Sequence, residues 1–249
     1  MPAKTLKEPP KGSATAKEIL AELKPLGSES YKRMLCNNHG VREPCFGVKI
    51  GDMKKIQKRI GKDYRLALEL YKTGNYDAMY LAGLIADDER MTRKDLQGWA
   101  EKAYGGALPG ATVGWVAAGS PHGWEMALKW IDSPKENIAE AGWSTLSGLV
   151  AIKRDEGLDV TALRKLIERV RRTINDAPDR GRYAMNGFLI AVGSYVKGLT
   201  DFAIETGEQI GPVMADLGNN SCQIPYAPDY IRKVEKVKGI GKKRKTVKC

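Results

Sequence analysis

The residues best suited to chemistry in this sequence are few and scattered. Cys36, His39 and Cys45 stand in a C-x2-H-x5-C arrangement, with Cys222 far downstream as a conceivable fourth ligand. Structural zinc sites are built from two close pairs of thiolate and imidazole ligands, and only three of these candidates are local. Cys36 also ends an apolar helix face, so the group reads as core, and no metal or cofactor is expected. His39 and His122 are the only imidazole bases, and neither neighbours a G-x-S-x-G nucleophile turn. Gly241-Lys242 is followed by Lys243, not by the Ser or Thr of a Walker loop. Ser-His hydrolysis and nucleotide hydrolysis are set aside on these grounds.

The stronger signal is charge. Lys and Arg number 41 against 30 Asp and Glu, a net +11 over 249 residues. The surplus is concentrated in blocks. Residues 31–65 carry ten basic side chains against three acidic, and residues 231–249 carry nine against one. The arginine cluster at 151–182 adds a smaller excess, and the remaining middle segments are net acidic. Blocks of one sign favour an interaction surface for a polyanion over an ordinary solvated face, where signs alternate. Nucleic acid is the expected partner. Candidate phosphate contacts are Lys54, Lys55, Lys58 and Arg59, then Arg169, Arg171, Arg172, Arg180 and Arg182, then Lys242, Lys243, Arg244 and Lys245. The string Val237-Lys238-Gly239-Ile240-Gly241-Lys242 resembles the hairpin of helix-hairpin-helix DNA binders, where glycines let backbone N–H groups approach a phosphate. Too few residues follow it for a second helix.

The elements that must position these groups are helical. Apolar residues recur at helical spacing between Gly, Pro and Asx breaks, as in Ile19, Leu20, Leu23 and Leu26, or Met53, Ile56 and Ile60. Asp63 and Thr92 are placed to cap helices, and Thr73-Gly74-Asn75 reads as a stop. Further helices are expected at 76–86, from Pro121, at 136–152 behind Pro134, at 161–174, 182–196, 200–217 and 226–237; the Gly-rich stretch 103–115 carries no clear pattern. Pairing into hairpins, 51–60 with 63–73, 76–86 with 92–104, 121–131 with 134–152 and 159–174 with 182–197, predicts an all-α solenoid of HEAT type. The expected organisation is a flexible leader at 1–13, one solenoid domain at 14–237 and a basic tail at 238–249. No stretch is long and apolar enough to span a membrane, and no signal core opens the chain. A monomer in the cytoplasm is expected, at the nucleoid in a bacterium or in the nucleus of a eukaryote.

Several strings, taken together and in order, resemble the AlkD-like DNA alkylation repair family. They are His39-Gly40 through Phe46-Gly47-Val48, Thr73-Gly74-Asn75-Tyr76-Asp77-Ala78, Lys129-Trp130-Ile131, Glu140-Ala141-Gly142-Trp143, Arg182-Tyr183-Ala184-Met185-Asn186 and Ile240-Gly241-Lys242-Lys243-Arg244-Lys245-Thr246. The resemblance implies a HEAT-like solenoid whose concave basic face holds duplex DNA. The family's glycosylases excise cationic alkylated purines, using an aspartate against the charge that develops on the sugar, an arginine on the backbone and tryptophans around the site. The implied groove aromatics are Trp99, Trp143 and Phe188, the last standing where a site tryptophan is expected.

The catalytic pair itself does not carry over. The aspartate is expected near Gly105, yet residues 103–124 contain no Asp or Glu. Where the arginine is expected, the chain has Glu140, which would repel phosphate. Glu101, the nearest upstream carboxylate, is the substitute to consider. The leading expectation is a DNA-binding protein for duplex, damaged or branched DNA without base excision. A glycosylase with a rearranged site and a HEAT-type protein-interaction scaffold are the alternatives.

Overall fold

The computed structural model describes residues 14–219 and 223–248, so the leader at 1–13 and Cys222 lie outside the described residues. All of the regular structure described is helical, with a lone antiparallel bridge between Gly27 and Val48. The α-helices are α1 Ala16–Leu26, α2 Glu29–His39, α3 Ile50–Ile60, α4 Tyr64–Lys72, α5 Tyr76–Ile85, α6 Arg93–Lys102, α7 Gly114–Gly119, α8 Gly123–Trp130, α9 Glu136–Ile152, α10 Val160–Thr173, α11 Asp179–Tyr195, α12 Thr200–Ile210 and α13 Ala227–Lys238. Local chemistry sets many of the starts. Thr15 and Thr92 form capping boxes with Glu18 and Asp95, and Asp63, Asn75 and Asp159 each accept an N–H from the first turn that follows.

The all-α solenoid expectation holds, with corrections to its parts. The expected hairpin of 51–60 with 63–73 is not the main packing, because α3 and α4 both pack chiefly on α5, which is buried along its whole length. Likewise α6 packs on α9 and α8 more than on α5. The helix expected at 200–217 ends at Ile210, where Gly211 takes a positive φ of 76°. Pro134 precedes α9 without entering it. Helix α2 was not marked by periodicity because only Leu35 of its residues is fully buried. The patternless 103–115 stretch contains a π-helical turn, Leu108–Val113, leading into α7.

Two hydrophobic clusters meet at α9. Ala141 belongs to the N-terminal cluster, while Trp143 and Leu146 belong to the C-terminal one built around α11. Close backbone approach is required at this hub. A Cβ on Gly142 would sit 2.8 Å from the Ile131 nitrogen, which explains the small residue in the Glu140-Ala141-Gly142-Trp143 string. The Asn75-Tyr76-Asp77 string is also architectural. Buried Asp77 accepts hydrogen bonds from the Phe46 N–H at 2.6 Å, the Gly47 N–H at 3.3 Å and the Val48 N–H at 2.8 Å, anchoring the α2–α3 loop to the start of α5.

The residues expected to form a basic tail pack instead as a strap across the C-terminal ends of three helices. The Gly241 N–H donates to the Ser194 carbonyl near the end of α11, and the Arg244 N–H donates to the Ala151 carbonyl near the end of α9. Val247 is buried in the C-terminal cluster. The Lys248 ammonium reaches the Ala86 carbonyl at 3.0 Å and the Asp88 carboxylate at 2.7 Å, just past α5. Helix ends present unpaired carbonyls and partial negative charge, so cations and N–H donors suit them.

Candidate nucleic-acid interface

The strap sorts its cations into two kinds. The Lys243 ammonium turns inward and donates to the Val150 carbonyl at 2.9 Å and the Tyr195 carbonyl at 2.7 Å, and it pairs with Asp155 at 2.7 Å. Lys242, Arg244 and Lys245 remain exposed. Lys245 and Lys248 line a groove of ≈ 670 Å³ whose opposite wall is α3, contributing Lys54 and Lys58, with Lys62 just beyond. The two basic blocks at opposite ends of the sequence thus meet at one groove. A second groove of ≈ 670 Å³ lies between α11 and α13 and is bordered by Lys238, Lys242 and Arg244. Glycines at 239 and 241 with positive φ turn the chain between them.

Pairing divides the N-terminal block as well. Lys55 is bound to Asp52 at 2.8 Å and Arg59 to Glu22, whereas among the described residues no acid pairs with Lys54, Lys58 or Lys245. Lys54 and Lys58 are four residues apart and therefore share a helix face. Lys62 lies 3.8 Å from Asp87. Burial pushes the Asp88 carboxyl up and the Lys248 ammonium down, and their mutual attraction opposes both shifts.

The central arginines serve the fold more than the surface. Arg169 pairs with Asp132 at 2.7 Å, donates to the Ile131 carbonyl and lies over Trp143. Arg182 donates to the carbonyls of Ala177 and Met214. Arg171 donates to Gln209, and Arg172 is exposed on α10. Arg180 donates to the Leu217 carbonyl and borders a separate cleft, described next.

This cleft, of ≈ 370 Å³, runs between the 106–111 segment, α7, α9 and α11. The aromatic on its wall is Trp115, set edge-on to Tyr80 at 6.2 Å, with Tyr183 at the mouth. The expected groove aromatics are elsewhere. Trp99 is stacked on Tyr71 at 4.0 Å in the core, and Trp143 and Phe188 pack on each other at 5.3 Å, also in the core. Their helical spacing placed them on the inward stripe, which is what packing selects. Glu101 is exposed on α6, accepts a hydrogen bond from Gln97 and does not border the cleft.

The carboxylate that does border it is Glu140, only 7% exposed. Burial pushes its pKa up to about 7, with Arg180 opposing and Glu136 adding to the shift. The 105–106 backbone lies too close to its surroundings for a side chain. A Cβ on Gly105 would sit 2.8 Å from the Gly40 carbonyl oxygen, and one on Gly106 2.8 Å from the Tyr76 hydroxyl. Among the described residues, no group of three or more His, Cys, Asp or Glu is placed to hold a metal ion.

The fold is a helical solenoid with a cationic groove and a separate cleft, and comparison with known proteins gives the family. Residues 19–231 match the family described as "DNA alkylation repair enzyme", and the chain belongs to it. A solved structure described as "a new family of proteins related to the HEAT-like repeat DNA glycosylases with affinity for branched DNA structures" matches with a TM-score of 0.86 at 36% identity. It covers 95% of this chain and 100% of that one. The uncharacterized protein Lin0241 of Listeria innocua is 32% identical over 202 residues, and the uncharacterized protein Lmo0209 of Listeria monocytogenes is 30% identical over 202 residues. Each alignment covers 79% of this chain and 87% of the relative.

Proposed function

We propose that this protein binds branched or damaged duplex DNA as a monomer, mainly through phosphates, and does so without excising bases. The observation that carries the reading is the convergence of Lys54, Lys58 and Lys245 on one groove, with no acid among the described residues paired to any of them. Unpaired ammonium groups along a groove release counterions when phosphates replace bulk anions. The described affinity of the solved relative for branched DNA supports the same partner. Against excision stand the close-packed glycines at 105 and 106, which leave no room for a side chain where the family's carboxylate is expected. Glu140 borders the cleft, but it stands on α9 and not in the 103–124 segment where the family's carboxylate is expected. The site of action is then wherever the cell keeps its DNA, in the bacterial cytoplasm with the nucleoid or in a nucleus.

Fluorescence anisotropy with a labelled four-way junction and a linear duplex, at low and moderate salt, tests the binding. Affinity should fall steeply with salt, with a log–log slope of about −0.9 per phosphate contacted. Weak binding that does not respond to salt would overturn it. Incubation with methylated DNA tests the second half: no alkylated purine should be released, and release that Glu140→Gln abolishes would make the protein a glycosylase.

A further inference from the structure

On a scaffold read as binding phosphates elsewhere, a buried carboxylate calls for an occupant other than phosphate. Glu140 is more than nine-tenths buried, borders the cleft, and among the described residues receives no hydrogen bond. Gly110 keeps that carboxylate open. A Cβ at this position would lie 3.2 Å from Glu140 Oε1 and 3.2 Å from the Ser144 hydroxyl, filling the space in front of both. Trp115 supplies a half-buried aromatic face on the same cleft, and Arg180 supplies a cation at its border.

An anion in such a place is satisfied by N–H donors, and two carboxylate oxygens accept two of them side by side. Among the four DNA bases, only unpaired guanine presents two adjacent donors on its Watson–Crick edge, N1–H and N2–H. Adenine and cytosine each place an acceptor beside their one donor group, and thymine flanks its donor with two carbonyls. An aromatic wall favours a flat ring, since a base stacked on an aromatic side chain gains about 1–3 kcal/mol.

Building on the DNA-binding reading above, we infer that the cleft is a pocket for one unpaired guanine, held by paired hydrogen bonds to Glu140 and by contact with Trp115. Such a base is available at a branch point or a bulge and not inside an intact duplex. The carboxylate excludes phosphate from the cleft, so the backbone is left to the lysine groove, which lies at the other end of α9.

The test is a series of duplexes carrying one bulged nucleotide, G, A, C, T or an abasic residue, with a fully paired duplex as reference, all at pH 8. Wild-type protein should bind the G bulge about tenfold or more tightly than any other member, the range expected of a good bidentate contact. Glu140→Gln should erase the preference and leave affinity for the paired duplex within twofold. Equal affinity across the series would overturn the pocket, as would a preference that survives Glu140→Gln. A flat series accompanied by saturable binding of an arginine-containing peptide would assign the cleft to a protein partner and also overturn it. The wild-type series is decisive by itself if the variant does not fold. The paired duplex separates the two failures: no binding to it sinks the DNA-binding reading, whereas normal binding with no base preference sinks only the pocket.

Discussion

The lysine groove and the Glu140 cleft solve opposite electrostatic problems on one scaffold. The groove keeps Lys54, Lys58 and Lys245 exposed and lets water screen them until an anion arrives. The cleft buries one carboxylate among Trp115, Ser144 and the 106–111 backbone, where its charge is expensive. Exposed like charges cost little because the solvent responds to them; a buried charge needs a partner of defined geometry. The first arrangement suits a partner read by charge, the second one read by hydrogen-bond pattern.

The comparison can be broken first at the support of the groove. Lys248→Ala would leave the mostly covered Asp88 beneath the strap without its ammonium partner, and should lower stability by about 3 kcal/mol. Chemical denaturation measures this, and a change below 1 kcal/mol would show that the strap does not depend on that pair.

The next test sets the cleft apart by its titration. Glu140 is raised from 4.5 to about 7 in the folded chain, so the folded state holds more protons than the unfolded state between those values. Stability therefore falls as pH rises through that window, by roughly 3 kcal/mol for a shift of this size. Glu140→Gln should remove that contribution, so the stability difference between variant and wild type should move in the variant's favour from pH 5 to pH 8. Urea midpoints at the two pH values give the answer, and parallel curves would mean that Glu140 is not held neutral.

A smaller effect is expected on binding. Replacing Lys54, Lys58 and Lys245 together by Ala should lower duplex affinity about a hundredfold at low salt and reduce the salt slope by roughly three. Smallest of all, replacing Lys55 and Arg59 by Ala should leave the urea midpoint essentially unchanged, because both are exposed and paired with surface acids. It should also change DNA affinity much less than the triple variant does. If the two sets weaken binding equally, general charge and not the groove is responsible.

Much of the helical architecture is legible in the residues, since caps such as Asp63 and Thr92 and the stripe of Met53 and Ile56 are local features. What periodicity could not show is which helices become neighbours, and the hairpins expected for α3 and α6 give way to contacts with α5 and α9. The site was legible in its charges and not in their use. Lys242, Lys243, Arg244 and Lys245 are equivalent as a string, yet Lys243 is consumed by two carbonyls and an aspartate while its neighbours face outward. Trp115 lay in a Gly- and Ala-rich segment with no apolar period to mark an inner and an outer face, so nothing set it apart from the tryptophans of the core. Glu140 was conspicuous only as a charge opposite to the one expected.

The strap also sets an order of events. Lys248 and Asp88 are 160 residues apart in sequence, and their meeting requires α5, α9 and α11 to have presented their ends already. Contacts of such long range form late, because the chain between them must be ordered before closure is rewarded. Lys54 and Lys58 are set by the local helix α3, whereas Lys245 joins their groove only through these long-range contacts. On the proposed reading, a polyanion would meet the complete groove only on the matured molecule, and a partly folded chain would compete poorly for the same ligand.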